Sequence, residues 1–112
     1  MSCLASVLRY SDYGDPAKVI KLCSENVETP HNDKLLVKIL QAPINPADIN
    51  TIQGKYPVKP TFPAIGGNEC VAEVLQVGPN VTKLLVGDIV VPFATGEFYQ
   101  KSYFLRIKSF LI

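Results

Sequence analysis

The sequence predicts a mostly β, barrel-like domain with one short helix. Several short apolar runs rich in β-branched residues are separated by turn-forming proline, glycine, asparagine and aspartate. Only one segment carries the signals of a helix start. The chain has 112 residues, of which 47% are hydrophobic, enough for one core and too little for two full domains. We therefore expect a single compact domain.

The strands are predicted from runs that end at turn residues. The last long run alternates, with Ala72 and Val74 on one face and Val71, Glu73 and Leu75 on the other. Gly78-Pro79-Asn80 then turns the chain. The predicted strands cover residues 5–10, 19–23, 35–40, 70–77 and 89–92.

The helix is predicted to follow Asn45, which is suited to a helix cap, and to run to about Gln53. Pro46 suits the first helical position, and Gly54 would end the helix. Residues 55–63 contain three prolines, so we expect a stiff, extended loop.

The C-terminal end differs from the rest of the chain. Residues 1–97 hold 8 basic and 10 acidic groups, whereas residues 98–112 hold three basic groups and no acid. We assign residues 1–94 to the domain and 95–112 to a divergent basic and apolar tail. Tyr99, Tyr103 and Ile107 would share a helical face, but a strand over residues 103–107 is an equal alternative.

Composition argues against several function classes. The lysines are scattered, so no basic stripe for nucleic acid is formed. No apolar run approaches the length that crosses a bilayer. Cys3, Cys23 and Cys70 are widely spaced and accompany one histidine, His31, which a turn places toward solvent. We therefore expect neither a disulfide framework nor a zinc cluster.

Three segments resemble mitochondrial trans-2-enoyl-CoA reductases of the medium-chain dehydrogenase/reductase superfamily. They are Gly-Asp-Pro-Ala-Lys-Val at 14–19, Ile-Gln-Gly-Lys-Tyr at 52–56 and Gly-Gly-Asn-Glu at 66–69. The resemblance implies a GroES-like, partly open barrel. In that superfamily a nicotinamide-binding Rossmann domain follows, and this chain ends before one. We therefore expect an incomplete catalytic domain from a truncated or alternatively spliced product, inactive by itself.

Tyr56 is the candidate catalytic residue. By itself it is a loop tyrosine between Lys55 and Pro57, and such residues usually only cover surface. The resemblance implies a proton donor, because family members carry this tyrosine in the Ile-Gln-Gly-x-Tyr context. A phenol with a pKa of about 10 is a suitable donor to an enolate, whereas a carboxylic acid would already be ionised. Lys55 and Lys59 could attract an anionic CoA or carrier-protein substrate, but solvated loop lysines are the favoured interpretation.

Asn45 is the second candidate, either as a helix cap or, as the resemblance implies, facing nicotinamide and substrate. For Asp48 and Asn50 local hydrogen bonding is the favoured interpretation. Zinc-dependent relatives have Gly-His-Glu where this chain has Gly-Asn68-Glu, and a cysteine in the region of Asn45. Since amides are poor zinc ligands, we predict no metal. We expect Asn68 and Glu69 to fix loop backbone.

The family implies an NADPH-dependent trans-2-enoyl-thioester reductase of mitochondrial fatty acid synthesis, acting on enoyl-CoA or enoyl-acyl-carrier-protein. The glycines form no G-x-G-x-x-G loop, so tight NADPH binding by this chain is not expected. The alternatives are a non-enzymatic GroES-like module, paired with itself or with a full-length reductase subunit, and a quinone oxidoreductase fragment. The family is mitochondrial, but residues 1–10 show no clear transit peptide, so a cytoplasmic location stays open.

Overall fold

The computed structural model describes residues 3–92 and the backbone of residues 104–106. Two antiparallel sheets carry the fold, one of three strands in the order β2-β1-β4 and one of four in the order β3-β5-β6-β7. Neither sheet closes on itself, as expected for a partly open barrel. The elements are β1 (Cys3–Tyr10), α1 (Pro16–Val19), β2 (Lys21–Val27), β3 (Leu35–Gln41), α2 (Pro46–Ile52), β4 (Ala64–Ile65), β5 (Val71–Val77), β6 (Ile89–Pro92) and β7 (Phe104–Arg106).

The described residues group into two compact units. The first unit consists of Met1–Val27 and Pro43–Asn68. In it, β1 pairs with β2 along its length and with β4 near Tyr10. Tyr10, Ile52 and Ala64 form the core, with Val19 and Ile20 packed against it. This unit therefore joins helix α2 to the three-stranded sheet through shared apolar contacts.

Two helices occur in the first unit, and both start as their sequences dictate. Asp15 caps α1 by accepting a hydrogen bond from the Ala17 N–H at 3.0 Å, and Pro16 takes the first turn. The strand predicted from residue 19 was therefore wrong at its start, because Val19 ends this helix. In α2, Pro46 takes the first turn and Gln53 is the C-cap, as predicted.

The second unit consists of Glu28–Ala42 and the described residues from Glu69 on. Its core is Cys70, Ala72, Val74 and Val90. The alternation of β5 is confirmed, because Ala72 and Val74 are fully buried while Leu75 is 41% exposed. The register between β3 and β5 shifts twice, which marks irregularities in the ladder.

A tight contact fixes the turn that leaves β5. A Cβ at Gly78 would lie 2.4 Å from the Asn32 carbonyl oxygen, so only glycine fits there. The Gly78 N–H donates to the Lys34 carbonyl at 2.8 Å, and the Asn80 N–H donates to Asn32 at 2.9 Å. The predicted turn at residues 78–80 is thus held against the turn that precedes β3.

The short strand β4 was not predicted. The strand alternative for residues 103–107 agrees with β7, which pairs with β6. The helical alternative for Tyr99 and its neighbours lies outside the described residues. Within the described part of the chain, no helix is long and apolar enough to cross a membrane.

Candidate functional site

Tyr56 lies four residues beyond the end of α2, at the start of the proline-containing loop that leads to β4. Its side chain is 38% exposed. Among residues 3–92, no hydrogen bond occupies its hydroxyl group. The phenol is therefore accessible from solvent and keeps its donor capacity for a ligand.

Gly54 sets the course of the backbone into Tyr56. Its φ of +77° is left-handed, as expected of a glycine that ends a helix. A Cβ there would lie 2.9 Å from Cγ of Tyr13, closer than such atoms approach. The Lys55 N–H donates to the Asn50 carbonyl at 2.8 Å, which ties the next residue back to α2. Glycine is thus required twice, for conformation and for the approach of Tyr13.

The Lys59 side chain is exposed, as the sequence indicated, but it has two contacts within its unit. Its Nζ donates a hydrogen bond to the Gly54 carbonyl and lies 5.4 Å from the centroid of the Tyr13 ring. The Tyr13 ring packs edge-on against Phe62, with 4.9 Å between centroids, and Phe62 packs likewise against Tyr10 at 5.9 Å. The loop that carries Tyr56 is therefore connected to the core of its unit through three aromatic rings.

Asp48 is the buried polar centre of α2, with 6% exposure. Its Oδ2 accepts from the backbone N–H of Asn45 at 2.9 Å, as the local interpretation predicted. Its Oδ1 accepts from Nδ2 of Asn68 at 3.0 Å, which the sequence did not predict. Asn68, expected to fix loop backbone, thus binds a side-chain carboxylate instead. Asn45 and Asn68 lie where zinc-dependent relatives have metal ligands, and both donate a hydrogen bond to the Asp48 carboxylate.

Asn45 occupies the N-cap position of α2, and Tyr56 follows its C-terminal end. The seven-residue helix between them is about 10 Å long. The structure therefore does not bring the two candidates into hydrogen-bonding distance. A ligand in contact with both would extend along the helix.

Burial shifts the pKa of two other groups. Burial raises the pKa of Tyr10, and the nearby Tyr13 and Asp48 raise it further. Burial also raises the pKa of the Cys70 thiol. Both groups therefore stay neutral at physiological pH, which makes Cys70 a poor nucleophile.

A shallow cavity of about 410 Å³ lies elsewhere in the first unit. Its lining includes Lys18, Lys21 and Pro63 but neither Tyr56 nor Asn45. We therefore locate the candidate site by its donor group rather than by this cavity. Among the residues that the structure describes, no three His, Cys, Asp or Glu side chains are grouped as metal ligands.

The turn at Gly66 and Gly67 is not the backbone cradle that binds the pyrophosphate of a nicotinamide cofactor. Gly66 donates its N–H to the Leu8 carbonyl at 3.0 Å, and Gly67 follows with a φ of +100°. These glycines shape a turn between strands and do not open a helix, which a pyrophosphate site requires. Gly66 and Gly67 thus do not form a pyrophosphate cradle at the start of a helix.

Comparisons with known proteins agree with this fold. The model of the alcohol dehydrogenase GroES-like domain matches residues 31–106, more than half of the chain. The human mitochondrial enoyl-[acyl-carrier-protein] reductase is 51% identical over 89 residues, which are 80% of this chain and 24% of that protein. The chain therefore spans about a quarter of the length of this relative.

Solved structures show the same relation. The Etr1p/NADP/crotonyl-CoA complex is 36% identical with a TM-score of 0.75, over 83% of this chain and 29% of that one. The mitochondrial 2-enoyl thioester reductase Etr1p/Etr2p heterodimer from Candida tropicalis is 37% identical with a TM-score of 0.74, at the same coverage. A putative NADPH:quinone reductase from Bacillus thuringiensis is 30% identical with a TM-score of 0.75, over 86% and 29%.

The quinone reductase matches the backbone as well as the thioester reductases do, so the fold does not separate these two activities. Membership of the family is established instead by the extent of the family match, residues 31–106. The chain belongs to the alcohol dehydrogenase GroES-like domain family, and within it resembles the mitochondrial enoyl thioester reductases.

Proposed function

We propose that this chain supplies the proton-donating side of an NADPH-dependent trans-2-enoyl-thioester reductase of mitochondrial fatty acid synthesis. The observation that best supports the proposal is the accessible phenol of Tyr56, on a loop whose start is fixed at Gly54. The similarity to enzymes named for this activity supports the proposal. By the same relation, the substrate is enoyl-CoA or enoyl-acyl-carrier-protein and the location is mitochondrial.

The chemistry suits a neutral phenol. NADPH, bound in the complete enzyme, supplies a hydride to C3 of the enoyl thioester. Negative charge then develops on the thioester oxygen, and Tyr56 donates its hydrogen bond there or gives its proton to C2. Asn45, at the other end of α2, orients the reacting groups.

The 112 residues expressed alone are proposed to be inactive. The described residues hold no phosphate cradle, and a hydride donor that is not held beside the acceptor loses the advantage of proximity, which is worth about 7 to 11 kcal/mol. The proposed partner is a second copy of this chain or a full-length reductase subunit, and only the full-length subunit would bring a cofactor-binding domain; the Etr1p/Etr2p heterodimer is an association between two such relatives.

The test compares NADPH oxidation with trans-2-hexenoyl-CoA by this chain alone and by this chain fused to the remaining part of the human relative. In the fusion, Tyr56→Phe is expected to lower kcat/KM by a factor of about 10² to 10⁴, the usual contribution of general acid catalysis. Tyr13→Phe is the matched control, because Tyr13 is 39% exposed against 38% for Tyr56 and the substitution keeps its ring.

Each outcome separates one alternative. A fusion in which Tyr56→Phe keeps full activity would show that Tyr56 is not the donor. A folded but silent fusion would favour the non-enzymatic module. A fusion that reduces quinones faster than the enoyl thioester would favour the quinone reductase, whose similar fold keeps it a candidate. Turnover by the chain alone would contradict the proposed inactivity.

A further inference from the structure

We propose that Lys59 is a positioning residue for Tyr56, closing residues 55–58 into a small loop that presents the phenol in one place. The inference rests on the proposed function of Tyr56. The role proposed for Lys59 requires no contact with substrate or cofactor, because it acts through the loop.

The closure joins the side chain of Lys59 to the backbone carbonyl of Gly54, five residues earlier. Lys59 Nζ donates to the carbonyl of Gly54, so Tyr56 lies inside the loop that the side chain spans. That carbonyl lies just past the C-terminal end of α2, where the helix dipole favours a cation. A charged donor at this carbonyl is a stronger partner than a neutral one.

The ammonium group is also held from its other side. It lies 5.4 Å from the Tyr13 ring centroid, within the range of a cation–π contact. Tyr13 in turn packs on Gly54 and on Phe62, which packs on the buried ring of Tyr10. One lysine thus connects the open side of the Tyr56 loop to a rigid part of the unit.

The loop would otherwise have few constraints. Pro57 and Pro60 stiffen the chain, but Val58 is 61% exposed and Tyr56 38%, so neither side chain is fixed by complete burial. Without the Lys59 contact, the phenol samples positions from which proton transfer is slow. Because misplacement of a catalytic group affects the chemical step, the loss should appear in kcat rather than in KM.

The loop offers a direct measurement on the 112-residue chain. Trypsin can cut the Lys55–Tyr56 bond, whereas the Lys59–Pro60 bond is resistant because proline follows. Substituting Lys59 therefore leaves the set of cleavable bonds unchanged. Cleavage at Lys55–Tyr56 is followed by mass spectrometry in Lys59→Met, which keeps the length, in Lys59→Arg, which restores the cation, and in the control Lys83→Met.

We expect Lys59→Met to speed this cleavage about tenfold, Lys59→Arg to stay within about twofold of the parent, and Lys83→Met to have no effect. An unchanged rate in Lys59→Met would overturn the proposal. Equal acceleration at every tryptic bond would overturn it too, because the variant would then unfold globally.

The link to Tyr56 is tested in the fusion to the human relative. Lys59→Met should lower kcat about tenfold with KM nearly unchanged, and Lys59→Arg should restore it. In the Tyr56→Phe background the same substitution should cost nothing further, since no hydroxyl remains to be positioned. A full tenfold loss in that background would overturn the positioning role. Full activity of Tyr56→Phe would instead refute the proposed donor, and the cleavage result would stand separately.

Discussion

Gly54→Ala is expected to destabilise the first unit by about 2 to 5 kcal/mol. A left-handed φ of +77° costs a residue with a Cβ about 1 to 2 kcal/mol. The new methyl group would also lie 2.9 Å from Tyr13 Cγ and 3.2 Å from Cδ1, and forcing it into packed surroundings costs about 1 to 3 kcal/mol. Small domains are stable by roughly 5 to 15 kcal/mol, so the loss is large.

Two comparisons separate the strain from the contact, both by guanidinium unfolding followed with circular dichroism. Gly87→Ala reports strain alone, since φ is +93° there and a Cβ would meet nothing within 4 Å. The second comparison repeats Gly54→Ala in the Tyr13→Ala background, which removes the two ring carbons and keeps only the Tyr13 Cβ, 3.2 Å from the new methyl group. We expect the cost of Gly54→Ala to fall there by about 1 to 3 kcal/mol.

The reasoning fails if Gly54→Ala costs the same in both backgrounds. In that case the approach of Tyr13 is not what excludes a side chain, and backbone strain alone explains the glycine. A cost below about 1 kcal/mol in the parent background would refute the strain as well.

Three further predictions concern ionisable groups. Asn68→Asp places a second carboxylate beside Asp48, and the repulsion between the two charges should lower stability at pH 8. At pH 5 the pair would share a proton, so urea unfolding should show part of the lost stability restored. Arg9 holds the pKa of Glu25 below its ordinary value, mainly through their hydrogen bond. The stability that this interaction contributes is fully present above the pKa of Glu25 in the unfolded chain. It is lost as the pH falls through the lower pKa of Glu25 in the folded chain. An NMR titration should show this low pKa, and Arg9→Met should return it to the ordinary range. Cys70 is 5% exposed with a raised pKa, so peptide mapping should find its alkylation at least about tenfold slower in the native chain than in denaturant.

The sequence predicted the long elements well because their signals are local. The run at 35–40 became β3, and the cap, proline and glycine around residues 45–54 bounded α2. The four-residue strand β6 was also predicted, but the one-turn helix α1 and the two-residue strand β4 were missed. The helix α1 contains a single turn whose apolar residues also suit a strand, and β4 is two residues long, too short for an alternating pattern.

The contacts of the candidate site could likewise be predicted only where their signal is local in the sequence. Gly54 could be predicted as the end of a helix, since that role depends only on its neighbours. Its contact with Tyr13 could not, because the two are far apart in sequence and meet only after β1 and α2 pack in one unit. Asn68 and Asp48 are 20 residues apart, and nothing local indicates that one amide would find that carboxylate. Lys59 is exposed as predicted, but its hydrogen bond could not be predicted, because the partner is a backbone carbonyl.

These contacts give the Ile-Gln-Gly-x-Tyr segment a physical explanation beyond its resemblance. The glycine lets the chain leave α2 in a left-handed turn and admits the Tyr13 ring beside it, and that ring receives the ammonium of Lys59. Tyr56 is presented by this arrangement, and its hydroxyl group makes no hydrogen bond to the described residues. The tyrosine should therefore be replaceable without loss of stability, whereas the glycine should not be replaceable without loss of the tyrosine's position. Tyr56→Phe should unfold within about 0.5 kcal/mol of the parent, the range of an exposed substitution, and a larger loss would mean that the hydroxyl has a structural role.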